Sequence, residues 1–292
     1  MHLGNIYAAL MSWLDARANG GRWILRIEDL DPQRSRSEYA RMIEDDLRWL
    51  GLDWDEGGMD SKGSHGPYRQ SLRDSFYNEA LEHLRSMGLT YPCRCRRADI
   101  MATQAPHQSD GRIVYSGTCR PCAAPPFPAS DAAGAVRLYV PDRDIEFTDA
   151  VYGPQRCNLA RHCGDFVLRR ADGAWAYQLA VVVDDALMGV NRIVRGNDLL
   201  LSAAQQNYLF DLLGFPIPHY AHLPLLVNNE GRRLSKRDAS LSMEALRMQY
   251  SPRELLGHLA HIAGLTPAPE PISLTDMIPL YHLPEPIYSI TV

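Results

Sequence analysis

Residues 1–34, MHLGNIYAALMSWLDARANGGRWILRIEDLDPQR, constrain the fold of this chain more than any other stretch. Ile6, Leu10, Trp13 and Leu14 recur at helical spacing behind His2-Leu3-Gly4-Asn5, so an amphipathic helix starts at that tetrad. Asn19-Gly20-Gly21 ends it, because glycine takes the left-handed backbone of a helix C-terminus without steric cost. Trp23-Ile24-Leu25-Arg26-Ile27 then predicts a short buried strand, with Glu28 and Asp29 just past its apolar part. Helix, tight turn and strand, with charge at the strand's carboxyl end, suit an open α/β sheet, whose ligands bind at those ends. A glycine at a helix N-terminus lets an anion approach backbone N–H groups and the positive end of the dipole. His2, Gly4 and Asn5 therefore suit a polyphosphate, although a tetrad alone fits a plain surface loop equally well.

The chain's 292 residues could hold two domains, and 46% hydrophobic with 22% charged residues is ordinary for a soluble globular protein. A net charge of −5 argues against general coating of nucleic acid but leaves room for one basic face. No apolar run is long enough for a membrane span and no signal peptide is evident, so a cytoplasmic enzyme without membrane contact is expected.

Further along, Ser35–Leu50 predicts a helix with Tyr39, Met42, Ile43, Leu47 and Leu50 as its apolar stripe, and residues 68–87 a third helix with Leu72, Phe76, Ala80 and Leu84 inward. Val136–Val140 and Ile145–Thr148 read as strands, and 164–170 with 175–178 as a hairpin around Ala171-Asp172-Gly173-Ala174. Leu179-Ala180-Val181-Val182-Val183 lacks alternation and reads as a strand buried on both faces, ending in Asp184-Asp185. Ile193–Asp198 is another strand ending in charge, followed by a helix over 199–213. Ser251-Pro252-Arg253-Glu254 is a capping box that starts a helix, and the Pro-rich chain from Thr266 reads as an irregular tail.

All six cysteines lie within residues 93–163, which suits a reduced protein with a metal site better than a disulfide scaffold. Cys93 and Cys95 are close enough to share one ion, and Cys119 with Cys122 has knuckle spacing. A closed zinc site takes four ligands and prefers thiolates, so spacing alone makes Cys122 the fourth. Cys157 and Cys163 have no such pattern and read as structural.

The string from His2 to Pro32 resembles the start of the class I glutamyl-tRNA synthetase family. Tyr68-Arg69-Gln70-Ser71 is similar to a segment of that family, and Arg233-Leu234-Ser235-Lys236-Arg237 to its KMSKS signature loop, with Lys236 at the catalytic second lysine. The chain's other lysine is Lys62, which makes Lys236 the more informative. The resemblance implies a Rossmann-like catalytic domain in two halves, 1–90 and 161–240, around a zinc-binding insertion at 91–160, with a helical C-terminal region at 241–292. It implies ATP at His2, Gly4, Asn5, Ser235 and Lys236, with His2 and Lys236 catalytic and Mg2+ accompanying the nucleotide. Glu28, Tyr177 and Arg195 would bind glutamate.

A strand that the family carries ahead of its HLG motif is missing from residues 1–292. A start codon assigned too late accounts for this better than a lost pocket, because deleting a central strand strands apolar surface and unpaired backbone groups. Residues 239–292 are too few for the family's helical anticodon-binding region. That narrows the resemblance to the short glutamyl-queuosine tRNA(Asp) synthetase branch, which moves activated glutamate to queuosine in the anticodon loop of tRNA(Asp). In that branch a Cys-x-Cys…Tyr-x-x-x-Cys set binds zinc; it maps onto Cys93, Cys95, Tyr115 and Cys119, with Cys122 and His107 as rivals to Tyr115. A monomer is expected. A truncated glutamyl-tRNA synthetase charging tRNA(Glu), or an inactive tRNA-binding paralogue, are the competing expectations.

Overall fold

In the computed structural model the described residues are 1–31, 35–96, 114–130, 132–232, 234 and 241–292. The opening helix α1 (Leu3–Ala18) buries Ile6, Leu10, Met11 and Leu14, and Gly20 turns the chain at φ +64°. Strand β1 (Ile24–Leu25) is shorter than the expected 23–27 and only half-buried. Helix α2 (Ser37–Leu50) buries Leu47 and Leu50 of the expected stripe and packs Ile43 on the core, but Tyr39 and Met42 are exposed, while Ala40 and Glu44 are buried. The buried Glu44 carboxylate accepts the Met59 N–H at 2.5 Å. The ladder partner of β1 is the two-residue parallel strand β2 (Glu56–Gly57), extended by a bridge between Ile27 and Arg69. So short a ladder explains why the predicted strand stops early.

Residues 70–72 form a 3-10 turn that leaves Leu72 exposed before helix α3 (Asp74–Ser86) begins. Strands β3 (Thr90–Cys93) and β4 (Ala135–Leu138) pair antiparallel, β5 (Asp144–Asp149) and β6 (Gly153–Asn158) form a hairpin, and a single turn α4 (Leu159–His162) leads to β7 (Phe166–Arg169) beside β4. The turn at 171–174 closes through Arg170 N–H to the Ala174 carbonyl at 2.8 Å. The expected second hairpin strand is a single bridge at Trp175, after which helix α5 (Tyr177–Leu187) starts.

That helix overturns the strand expected over Leu179–Val183. Each of those five residues is at most 4% exposed, because α5 packs against α3, β7 and the next helix. A segment buried on every side shows no polar face, so its sequence pattern cannot separate helix from strand.

Strand β8 (Arg192–Gly196), helix α6 (Leu200–Leu212) and strand β9 (His219–Leu223) follow as a parallel crossover, and β5 lies on the other side of β9 in the order β6-β5-β9-β8. Strand β10 (Leu225–Val227) continues the chain. Helix α7 (Met243–Gln249) precedes α8 (Pro252–Ile262), whose capping box is formed as predicted, with Ser251 N–H donating to Glu254 at 2.7 Å. The tail is more ordered than expected, with a single turn α9 (Leu274–Met277) and a strand β11 (Ser289–Thr291) paired in parallel with β10.

One core joins α1, α2, α7 and α8; a second joins α3, α5 and α6 with β4 and β7. Helix α1 packs on β8 and holds its N-terminus at the strand's carboxyl end. Among the described residues no helix is long and apolar enough to cross a membrane.

Candidate active site

A cleft of about 150 Å³ opens where the N-terminus of α1 meets the carboxyl ends of β8 and β9. His2, Gly4 and Asn5 line it from the helix, Gly196 and Asp198 from the strand end, and Leu234 from the start of the KMSKS-like loop. Asn5 Oδ1 accepts the His2 N–H at 3.4 Å, and a backbone bridge to Ser242 ties His2 to the chain beyond that loop. Gly4 lines the cleft, and a Cβ there would make only ordinary contact with the His2 ring, at 3.4 Å. Ser235 and Lys236, with Arg233 and Arg237, lie outside the described residues.

Glu28, Tyr177 and Arg195 form a second group, close enough for the two charges to act on the Tyr177 phenol, and Arg195 joins it to the cleft. Tyr177 opens α5 and is 36% exposed; burial raises its phenol, and the charges acting on it are Arg195, Glu28, Asp185 and Arg26. Arg195 immediately precedes the cleft residue Gly196 on β8. Its Nε donates to His222 Nε2 at 3.1 Å and its Nη2 to Gln206 Oε1 at 2.8 Å, which leaves Nη1 without a hydrogen bond among the described residues. Glu28 accepts Arg26 Nη2 at 2.9 Å, and Arg26 Nη1 reaches Asp185 at 2.6 Å. An arginine with an unused N–H, a carboxylate and a phenol can together hold both charges of an amino acid.

Arg26, Asp185, His222, Asp149 and Gln206 carry this geometry, and sequence reading assigned none of them a role. Arg26 and Asp185 are 159 positions apart, and His222 and Asp149 are 73 apart. Asp184 and Asp185 had looked like charges at a strand end; both are buried on a helix.

The three-stranded sheet β3-β4-β7 carries the cysteine cluster. Cys93, Cys95 and Cys119 place their sulfurs within 4.8 Å of one another. Tyr115 Oη lies 3.5 Å from Cys93 Sγ and accepts the Cys119 N–H at 2.8 Å, which puts the phenol with the three thiols. Cys122 is exposed and not in this group, and His107 lies outside the described residues. Burial, then the Cys119 hydrogen bond and the Cys93 thiol, push Cys95 up to about 11, and burial likewise raises Tyr115. Burial opposes ionisation of Cys119, but hydrogen bonds from the Arg94 N–H, Cys95 and Tyr115 outweigh it and bring the thiol down to about 7. Three sulfurs and one oxygen crowded in this way suit a thiophilic dication, which would relieve the cost of ionising neighbouring groups.

Residues 1–277 match the family model described as tRNA synthetases class I (E and Q), catalytic domain. The glutamyl-Q tRNA(Asp) synthetase of Symbiobacterium thermophilum is 49% identical over 290 residues, covering 97% of this chain and 89% of that protein. The protein of the same name from Nitratidesulfovibrio vulgaris is 46% identical over 285 residues, 96% of this chain and 88% of its own length. A glutamate–tRNA ligase 2 from Acidithiobacillus ferrooxidans is 44% identical over 90% of this chain, which spans 55% of that enzyme. The crystal structure of a glutamate tRNA ligase from Elizabethkingia meningosepticum in complex with its amino acid superposes with a TM-score of 0.83 at 26% identity, over 100% of this chain and 64% of that one. These matches show that the chain belongs to the class I tRNA synthetases (E and Q), within the glutamyl-Q tRNA(Asp) synthetase branch.

Proposed function

We propose that this chain activates glutamate with ATP and transfers it to queuosine in tRNA(Asp). The observation that carries the reading is the junction of two half-sites on β8: a glycine-lined helix N-terminus on one side, and Arg195 with Tyr177 and Glu28 on the other. In the first step a glutamate α-carboxylate oxygen attacks the α-phosphorus of ATP. The bond to the β-phosphate oxygen breaks, and pyrophosphate leaves with that electron pair. Positioning and charge stabilisation do most of the work. His2 and Asn5 meet the phosphates, Lys236 neutralises the leaving group, Arg195 takes a substrate carboxylate, and Glu28 takes the ammonium. In the second step a queuosine hydroxyl attacks the acyl carbon, AMP departs, and the hydroxyl proton passes to solvent. Mg2+ would accompany ATP and shield its phosphates. Zn2+ would be held by Cys93, Cys95, Cys119 and Tyr115, where it would fasten β3 to the chain around Cys119. A monomer working in the cytoplasm fits this reading.

The test is transfer of labelled glutamate to queuosine-containing tRNA(Asp), the same tRNA without queuosine, and tRNA(Glu). Labelling of the modified tRNA(Asp) alone is expected. Labelling of tRNA(Glu) would favour a minimal glutamyl-tRNA synthetase, a reading that the 44% identity to a glutamate–tRNA ligase keeps in play. Lys236→Ala should slow pyrophosphate exchange by roughly a hundredfold or more while leaving thermal stability unchanged.

A further inference from the structure

Arg195 is held from behind by a buried relay whose protonation state the hydrogen bonds dictate. Its guanidinium Nε can only donate, and the atom that receives it is His222 Nε2 at 3.1 Å. That nitrogen must carry its lone pair, so the ring proton sits on Nδ1, which faces Asp149 Oδ2 at 2.7 Å. Asp149 is fixed in turn by the backbone N–H groups of Val151 at 3.0 Å, Tyr152 at 2.9 Å and His222 at 3.1 Å. His222 is 0% exposed and Asp149 1% exposed, so no solvent competes for these bonds. The parallel pairing of β8 with β9 sets Arg195 opposite His222, and β5 brings Asp149 from the other side.

We propose that His222, locked by Asp149 as the Nδ1–H tautomer, is a positioning residue that aims Arg195 at the substrate carboxylate, and that glutamate binding requires it to stay neutral. Protonation removes the lone pair that Arg195 uses and sets an imidazolium against a guanidinium. The groups facing His222 are Asp149 from β5, Arg195 from β8 with the Leu199 carbonyl after it, and the Tyr220 ring stacked at 5.8 Å on its own strand. Burial, with the charge of Arg195, outweighs Asp149 and the Leu199 carbonyl and lowers the imidazole below its ordinary value, so the neutral ring is the resting form near pH 7. The proposal rests on the assignment of Arg195 to glutamate made above.

Steady-state pyrophosphate exchange of the full chain, with glutamate and ATP varied separately, tests it. In the unaltered protein the KM for glutamate should rise as pH falls through a single ionisation below about 6.5, with the KM for ATP flat. Asp149→Asn keeps the shape but turns a donor toward Nδ1, which forces the other tautomer. It should raise the KM for glutamate about tenfold or more with kcat within about twofold. His222→Gln offers an amide oxygen to Arg195 and an N–H to Asp149, so it should keep the neutral-pH KM and lose the acid dependence. Arg195→Met separates the two layers. If it leaves the KM for glutamate unchanged, the assignment of Arg195 fails and this proposal falls with it. If it raises that KM while Asp149→Asn and low pH do not, only the relay is overturned. Imidazole 15N shifts of the unaltered protein read the tautomer directly, so the proposal stays testable if a variant misfolds. A protonated Nε2 at neutral pH would refute it.

Discussion

Asp184 is the residue whose loss should cost this fold most for the smallest change in shape. Its side chain is 0% exposed and accepts Arg73 Nε at 2.5 Å, Tyr77 Oη at 2.9 Å and Gln70 Nε2 at 2.8 Å, with Arg26 Nε at 3.7 Å. The Arg73 side chain is itself 1% exposed. Asp184→Asn removes the charge while keeping the volume, and leaves a buried guanidinium facing an amide. Breaking one side of a buried pair costs about 3–5 kcal/mol, because the remaining charge stays out of water. That is a third or more of the stability of an ordinary domain and corresponds to a Tm lower by roughly 10 °C. Urea denaturation of the single variants, and of an apolar double variant Asp184→Leu/Arg73→Leu, measures it. The double variant should recover part of the loss, since an apolar pair avoids the desolvation of both charges but leaves Tyr77 Oη and Gln70 Nε2 without their acceptor. A cost for Asp184→Asn below about 1 kcal/mol, or a double variant no better than the worse single one, would refute the reasoning.

Other substitutions test neighbouring parts of the argument. Gly57 has φ +94° and a Cβ there would lie 2.1 Å from the Leu25 carbonyl oxygen, so Gly57→Ala should destabilise by about 3 kcal/mol or more in the same denaturation assay. Metal analysis of the purified protein should find one zinc per chain, lost in Cys119→Ser, weakened at least about tenfold in Tyr115→Phe and retained in Cys122→Ser. Hydrogen bonds from Tyr68 and His65 hold the buried Glu56 carboxyl down at about 2, below its ordinary 4.5. A depressed folded value contributes stability fully above pH 4.5 that is lost as pH falls toward 2. The stability gap between the unaltered protein and Tyr68→Phe should therefore be widest near pH 6 and narrow below about pH 4.

The parts of the site legible in the sequence are those built from local signals. The HLGN tetrad announces the N-terminus of α1, the glycines after Ala18 announce the turn, and Cys93, Cys95 and Cys119 announce their cluster, because spacing along the chain sets each; spacing alone points to Cys122 as their fourth member, and Tyr115 comes only from the resemblance. Glu28, Tyr177 and Arg195 were reached through resemblance, and their neighbours were not reached at all. His222 lies in a strand with Ala221 and Leu223, where nothing local separates a functional ring from a core one. Its significance comes from Arg195 across one ladder and Asp149 across another, and such register is a property of the assembled sheet. Helix α5 was misread for the complementary reason: burial on every side erased the polar face that marks a helix.

The helical state of 177–187 is also what makes the amino-acid side of the cleft one mechanical unit. As a strand, Tyr177 and Asp184 would lie about 23 Å apart on opposite faces. As a helix they are seven residues and about 10 Å apart on the same face. The phenol at the first turn and the carboxylates near the last thus lie in the field of the same arginine, Arg26, which pairs with the carboxylates. Arg26 touches Glu28, Asp185 and Asp184 within 3.7 Å, and Asp184 takes Arg73 and Tyr77 from α3 and the turn before it. The residues proposed to face glutamate are therefore braced by ion pairs that run from the buried Arg73 and Asp184 through Arg26 to the exposed Glu28, while His2, Gly4 and Asn5, proposed to face phosphate, sit at the start of α1. The two halves meet at β8, which carries Arg195 into one and Gly196 into the other. A change in the buried frame reaches the amino-acid half directly and the nucleotide half through β8 and through the packing of Trp23 and Leu25 on α1. Substitutions in the buried frame should therefore alter the KM for glutamate more than the KM for ATP.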